Sequence, residues 1–183
     1  MSVVYLFQVP LSWGVSPYPD KYDRQIVTAV KTHWPDYPYP LAWKAQLYQE
    51  SLLDPDARSP VGAEGLAQFM PGTWKQISKE LGYGLISPRL ADQSINAGAY
   101  YMAKLRRQWR SKRPNDDRHK LAQASYNAGL GNILKAQRRC GNLLLYQEII
   151  SCLPQITGRH SRETITYVDR ISKWRAQMRG IGR

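Results

Sequence analysis

The side chains of this 183-residue chain that could carry acid/base chemistry are carboxylates, since it has no glycine-rich phosphate loop and no Ser-His-Asp arrangement that stands out. One carboxylate is unusually placed. Glu50 lies among Leu47, Tyr48 and Leu52 at the end of an apolar-striped stretch, immediately before a segment carrying Ser59, Gly62, Gly65 and Gln68. In such a setting a carboxyl loses hydration, which disfavours its charged form and raises its pKa, as a general acid near neutral pH requires. The alternative is a solvent-facing glutamate at a helix end, because most glutamates are exposed. Position alone does not choose between them.

Other chemistries find less support. Cys140 and Cys152 supply half of a zinc site, and His119 and His160 stand at no metal-like spacing, so neither metal nor cofactor is expected. The two thiols either close one short disulfide loop or remain reduced in the core. The chain carries 26 Lys+Arg against 14 Asp+Glu, a formal net charge of +12. Residues 1–103 hold 8 and 9 of these, and residues 104–183 hold 18 and 5. The basic surplus is therefore C-terminal. It would attract a polyanion, nucleic acid being the first candidate, or it is a solvated helix face.

The elements that must position Glu50 are helical. With 43% hydrophobic residues and this length, one packed domain is expected, and no apolar run approaches the ~20 residues of a membrane span. Residues 1–20, with Pro10, Pro17 and Pro19, read as an extended arm, and 21–183 as the domain. Met1 to Pro10 lacks a basic n-region and a small-residue cleavage site, so no signal peptide is expected.

A helix follows Asp20, the suggested N-cap, to about Trp34. Pro40 opens the next, with Leu41, Ala45, Tyr48 and Leu52 as its apolar stripe. Asp54 to Pro71 reads as a structured loop with a short hairpin, and Thr73 to Leu81 as a short helix. A long helix capped by Asp92 carries Ile95, Ala99, Met102, Leu105 and Trp109. Another, from about His119, breaks at Gly129 and Gly131 and resumes to Arg139; the last, about 162–178, carries Tyr167, Ile171, Trp174 and Met178. The fold class is mainly α, a single domain of about seven helices.

Five segments in order carry a family resemblance. Glu50-Ser51, Ser59 to Pro71 (SPVGAEGLAQFMP), Asn96 to Leu105, Ala124 to Gly129 (ASYNAG) and Glu163 to Val168 (ETITYV) resemble the successive motifs of the soluble lytic transglycosylases, whose domain looks like goose-type lysozyme. The resemblance covers about residues 38–175. It implies a lysozyme-like fold with Glu50 as the single catalytic acid/base. Ser59, Gln68 and Met70 would line the glycan cleft, Tyr126 and Asn127 would form its floor, and Tyr167 would reach the reacting centre. Ser51 and Glu163 would act in support. Ala67 and Ser125 depart from the family pattern, and Glu64 adds a carboxylate in a variable loop.

The resemblance also implies the reaction. Glu50 would protonate the glycosidic oxygen between N-acetylmuramic acid and N-acetylglucosamine, then take the proton from the sugar's C6 hydroxyl as it closes a 1,6-anhydro ring. Most glycosidases need a second carboxylate; an intramolecular attack does not. The rivals are a hydrolytic muramidase using Glu64 or Asp56, a catalytically idle wall-binding module, and a nucleic-acid binder, which lacks a reading motif. The expected partners are peptidoglycan strands, anionic envelope polymers held by the basic half, and other virion proteins, with no specific nucleic acid. A wall-cleaving domain without a signal peptide suggests a bacteriophage protein, carried in the virion or released at lysis.

Overall fold

Glu50 is set by α2 (Pro40–Ser51), which starts where Pro40 supplies a preset φ at a position needing no N–H. In the computed structural model, which describes residues 17–181, α2 runs through the middle of the domain. Ala42 to Leu47 and Ser51 are all buried, so α2 has no solvent face over most of its length. The four-residue stripe expected for it is therefore corrected: Leu41 and Tyr48 are half-buried, and Leu52 is exposed beyond the helix end. A helix enclosed on all sides has no single apolar stripe to read.

Its neighbours are α1 (Asp23–His33), α4 (Ala91–Gln108) and α9 (Ser161–Ile181). The helix α1 begins at Asp23 with Tyr22 as N-cap, rather than directly after Asp20, whose carbonyl accepts the Asp23 N–H at 2.8 Å. Similarly, Leu90 caps α4 and Asp92 lies in its first turn, where a carboxylate favours the helix dipole. All five residues expected on the buried face of α4 are buried: Ile95, Ala99, Met102, Leu105 and Trp109.

Two indoles lock this helix to its neighbours. Trp34 Nε1 donates to the Ala99 carbonyl at 2.8 Å and Trp43 Nε1 to that of Ile95 at 3.2 Å, so both buried N–H groups are satisfied. Gly98 permits the approach, since a Cβ there would meet Trp43 ring carbons at 2.5 and 2.6 Å.

The segment after α2 contains only isolated antiparallel bridges, Arg58 with Glu64 and Glu64 with Phe69, which is the short hairpin expected there. Then come α3 (Pro71–Glu80), α5 (Asn115–Ala128) and α6 (Leu130–Arg139), the last two parted at Gly129 with φ +84°. Two short helices, α7 (Tyr146–Ile150) and α8 (Pro154–Thr157), and a 3-10 turn (Gly158–His160) lead into α9. Seven helices are thus of ten residues or more, matching the expected number, and α7 and α8 are additional. Among the described residues no helix is long and apolar enough to cross a membrane.

The open question about the cysteines is answered by a disulfide between Cys140 and Cys152, with Cα atoms 5.9 Å apart, which ties the end of α6 to the turn after α7. Of the arm, residues 1–16 lie outside the described residues. Tyr18 is buried against Tyr48, with ring centroids 5.1 Å apart, and its hydroxyl donates to Gln177 Oε1 at 2.6 Å.

Alanine is the better helix former at position 98 by up to ~1 kcal/mol, but overpacking a closed core costs about 1–3 kcal/mol. Trp43 is fully buried and cannot swing away, so the clash dominates. Gly98→Ala is expected to destabilise the domain by about 1–2 kcal/mol in urea unfolding. An unchanged midpoint would show that the α2–α4 contact is loose.

Candidate active site

The Glu50 residue is half-buried on the last turn of α2. It keeps partial access to solvent, yet the protein packed around its carboxyl desolvates it and pushes its pKa from 4.5 up to about 8. A single hydrogen bond opposes this shift, Tyr167 Oη donating to Glu50 Oε1 at 2.5 Å. Because Oε1 accepts that proton, the acidic proton of the neutral carboxyl belongs on Oε2. The partner is 117 residues away on α9, whose packing along α2 brings the two together.

The Tyr167 ring is buried, and burial together with the neighbouring Glu50 charge raises its own pKa well above 10.0, so it remains a donor. Tyr167 thus packs its ring in the core, as its place on the α9 stripe requires, while its hydroxyl reaches the Glu50 carboxyl.

The chain around Glu50 holds unusual backbone. Leu52 and Leu53 follow it at φ +55° and +64°, and Gln68 stands at φ +45°. Left-handed conformations cost a side-chain-bearing residue roughly 1 kcal/mol or more each, and such strain gathers at functional sites. The helix end is held by Ser51, whose Oγ donates to the Leu47 and Leu66 carbonyls at 3.2 and 3.0 Å. Ser51 therefore fixes the 59–70 loop against α2. Gly65, at φ +79°, lets this loop pass Pro88, whose carbonyl oxygen would lie 2.0 Å from an added Cβ.

Within that loop Ser59 Oγ accepts the Ala63 N–H at 2.9 Å, and Gln68 Nε2 donates to the Ala57 and Gly65 carbonyls at 3.1 and 2.9 Å. Met70 is exposed at the start of α3. Tyr126 Oη donates to the Ala67 carbonyl at 2.6 Å, tying α5 to the loop, and the Glu50 charge is close enough to help raise its pKa. Asn127 is exposed and its Oδ1 accepts from Thr164 Oγ1 at 2.8 Å.

Glu163 lines a cavity of about 390 Å³ together with Asn127 and Thr164. It is exposed and has no hydrogen bond to Glu50, Tyr167 or Asn127; its neighbour Thr164 makes the contact to the Asn127 side chain. The helical period explains this, since Thr164 and Tyr167, three apart, share the inward face of α9 and Glu163 does not.

Gln46 escaped the sequence reading. It is fully buried one turn before Glu50, its amide lies beside the Tyr167 hydroxyl, and neither of its polar atoms has a well-formed hydrogen bond. The only signal was a polar residue at i−4 from the acid, inside an otherwise apolar stretch.

Of the three other carboxylates of the loop, two are paired with arginines, and exposed Asp54 accepts the Asp56 N–H at 2.9 Å. Glu64 pairs with Arg58 at 3.3 Å, and Asp56 pairs with Arg89.

A mainly α, lysozyme-like domain presenting one desolvated glutamate held by a tyrosine is the class that fold and site define. The transglycosylase SLT domain model matches residues 41–147, and the chain belongs to that family. Membrane-bound lytic murein transglycosylase F of Alcanivorax borkumensis is 35% identical over 127 residues, covering 67% of this chain and 26% of that protein. The protein of the same name from Pseudoalteromonas translucida is 35% identical over 100 residues, 53% of this chain and 20% of that one. The chain thus spans about a fifth to a quarter of the length of these relatives.

Among solved structures, an inactive mutant of lytic transglycosylase Slt from Pseudomonas aeruginosa superposes with a TM-score of 0.68 at 29% identity, over 86% of this chain and 24% of that one. The 70 kDa soluble lytic transglycosylase of Escherichia coli shares the fold, with a TM-score of 0.70 at 24% identity over 88% of this chain and 24% of that one.

A raised carboxyl pKa has a stability consequence. Between pH 4.5 and about 8 the folded chain holds the Glu50 proton more tightly than the unfolded chain, so this group lowers stability as pH rises through that window. Glu50→Gln removes the effect. Relative to wild type, the variant is expected to gain stability progressively from pH 5 to 8, by about 1–3 kcal/mol, and to level off above. Thermal melts at pH 5, 7 and 9 check this, and a difference independent of pH would contradict the raised pKa.

Proposed function

We propose that this chain is a peptidoglycan lytic transglycosylase that cuts the β-1,4 bond between N-acetylmuramic acid and N-acetylglucosamine and leaves 1,6-anhydromuramic ends. The observation that carries this reading is a single glutamate on the edge of the core, desolvated by the protein packed around it so that its pKa is pushed up to about 8, and bonded to the Tyr167 hydroxyl. Family membership and relatives named lytic murein transglycosylases support it.

In the first step the Glu50 Oε2 proton passes to the glycosidic oxygen, and the N-acetylglucosamine side leaves with a new C4 hydroxyl. The 2-acetamido group steadies the positive charge at C1. The Tyr167 hydroxyl, already donating to Oε1, stabilises the carboxylate as it forms. That carboxylate then takes the C6 hydroxyl proton as the C6 oxygen bonds to C1, which returns Glu50 to its neutral state. No water is consumed, and intramolecular attack supplies the proximity that a positioned water would otherwise provide.

Within this reading Ser59, Gln68, Met70, Tyr126 and Asn127 contact the glycan, and Ser51 holds the acid's helix. Gln68 and Tyr126 already spend donors on loop carbonyls, so their share in binding is shape as much as hydrogen bonding. The catalytic unit is residues 21–183. The basic surplus of residues 104–183 holds the domain on a wall rich in carboxylates and anionic polymers, by an attraction that salt screens over ~8–10 Å. Delivery by a phage particle or at phage-induced lysis is part of the proposal; recovery of the chain from purified particles would favour the virion route.

Glu50→Gln is expected to lower wall lysis by 10²-fold or more, because general acid–base catalysis contributes about 10²–10⁴. Mass spectrometry of fragments released by the wild type should show muramic ends one water lighter than hydrolytic reducing ends. Hydrolytic ends, or near-normal lysis by the variant, would overturn the mechanism.

A further inference from the structure

A cavity of about 380 Å³ lies between α2, α5 and α9, with Ala42 in its wall. Ala42 precedes Glu50 by eight residues, about 12 Å along the helix, so this cavity is separate from the acid. Its polar lining is almost entirely made of donors: His119, Lys120 and Gln123 from α5, and Arg175 and Arg179 from α9. The single carboxylate there, Asp116, is already engaged. Its Oδ1 accepts from Tyr37 Oη at 2.7 Å and Arg175 Nη1 at 3.1 Å, and its Oδ2 lies 3.9 Å from Lys120 Nζ. Three fixed cations therefore face one carboxylate.

His119 is the telling member. Its ring is buried, stacked on Tyr37 with centroids 4.4 Å apart and set edge-on to Trp34 at 5.0 Å. Arg106 Nη1 lies 3.4 Å from Nδ1, and a guanidinium can only donate, so Nδ1 accepts and the ring proton resides on Nε2. Burial and the nearby Arg106 and Arg175 charges hold its pKa well below 6.5, which keeps the imidazole neutral. Nε2 is buried behind the cavity lining to which the His119 ring contributes, and it has no acceptor among the described residues. An unanswered buried N–H costs about 1–3 kcal/mol. The α5–α9 packing retains it beside three cations.

We propose that this cavity is a phosphate-binding site in which the cations Lys120, Arg175 and Arg179 take one phosphate group, free or as a diester in an envelope polymer, against the wall that contains the neutral His119 ring. A phosphate offers several oxygens to donors arriving from two helices, and guanidinium forks match its geometry. A carboxylate has only two oxygens for the same set. The site does not depend on the reaction assigned to Glu50, and its failure would leave that assignment intact.

The test is a titration of ¹⁵N-labelled protein with inorganic phosphate at constant ionic strength set by sodium chloride, following the histidine side-chain signals. The expected result is a saturable shift of the His119 signals, with His33 and His160 little changed, and binding weakened at least about tenfold by Lys120→Gln with Arg179→Gln. Both substituted side chains are at the cavity rim, and melts in chloride alone confirm that the variant folds. A parallel titration with dimethyl phosphate separates the sources: binding comparable to phosphate assigns a polymer diester, and binding of inorganic phosphate alone assigns the free ion. An unsaturated shift matched by chloride, or equal binding by the double variant, would overturn the site.

Discussion

The constraint on which this structure turns is that one carboxyl must be kept from water yet remain reachable. Ordinary glutamates avoid the conflict by staying exposed and charged. Here α2 is enclosed along most of its length, and only its last turn emerges, carrying Glu50 to the boundary between core and solvent. Packing of α9 against that turn completes the desolvation and supplies the Tyr167 hydroxyl. The two effects oppose one another, and desolvation is the larger, so the carboxyl remains protonated near neutrality while its conjugate base retains a donor.

Much of the remaining architecture serves to hold that turn. Trp43 anchors the middle of α2 to α4 through the gap left by Gly98, and Ser51 joins its end to the 59–70 loop. The strained leucines after Glu50 and the positive φ at Gln68 lie in the same place, so the packing that desolvates the acid also supports a local cost in backbone energy. Arg58 and Arg89 pair with two of the loop's other carboxylates, Glu64 and Asp56. Glu50 is left as the acid that a substrate would meet in its neutral form.

Helices with one buried face were legible from spacing: the α4 residues Ile95, Ala99, Met102 and Leu105 are buried as their period requires, and α5 parts from α6 at Gly129. Enclosed α2 was not, because a helix covered on all sides has no stripe, and Gln46 was lost within it. The motif residues Glu50 and Tyr167 were legible through their family pattern, and the hydrogen bond between them explains why two such distant positions belong together. Glu163 drew attention as a carboxylate within a motif; it is exposed at a cavity it shares with Asn127 and Thr164, and Thr164 makes the inward contact. Sequence also could not decide the state of Cys140 and Cys152, since pairing depends on the turn that brings α6 and α7 together. The C-terminal charge has likewise divided into parts: buried Arg106 pairs with Asp36, Arg175 braces Tyr37 and Asp116, and other cations stand at the surface.

The central claim is that Glu50 is a neutral acid at working pH. The most direct measurement is the pH titration of the Glu50 side-chain carboxyl carbon by ¹³C NMR in selectively labelled protein, assigned by its loss in Glu50→Gln. A midpoint near 8 is the predicted result. A midpoint in the ordinary range near 4.5 would mean that the carboxyl is charged at neutral pH, and the single-acid account would be contradicted.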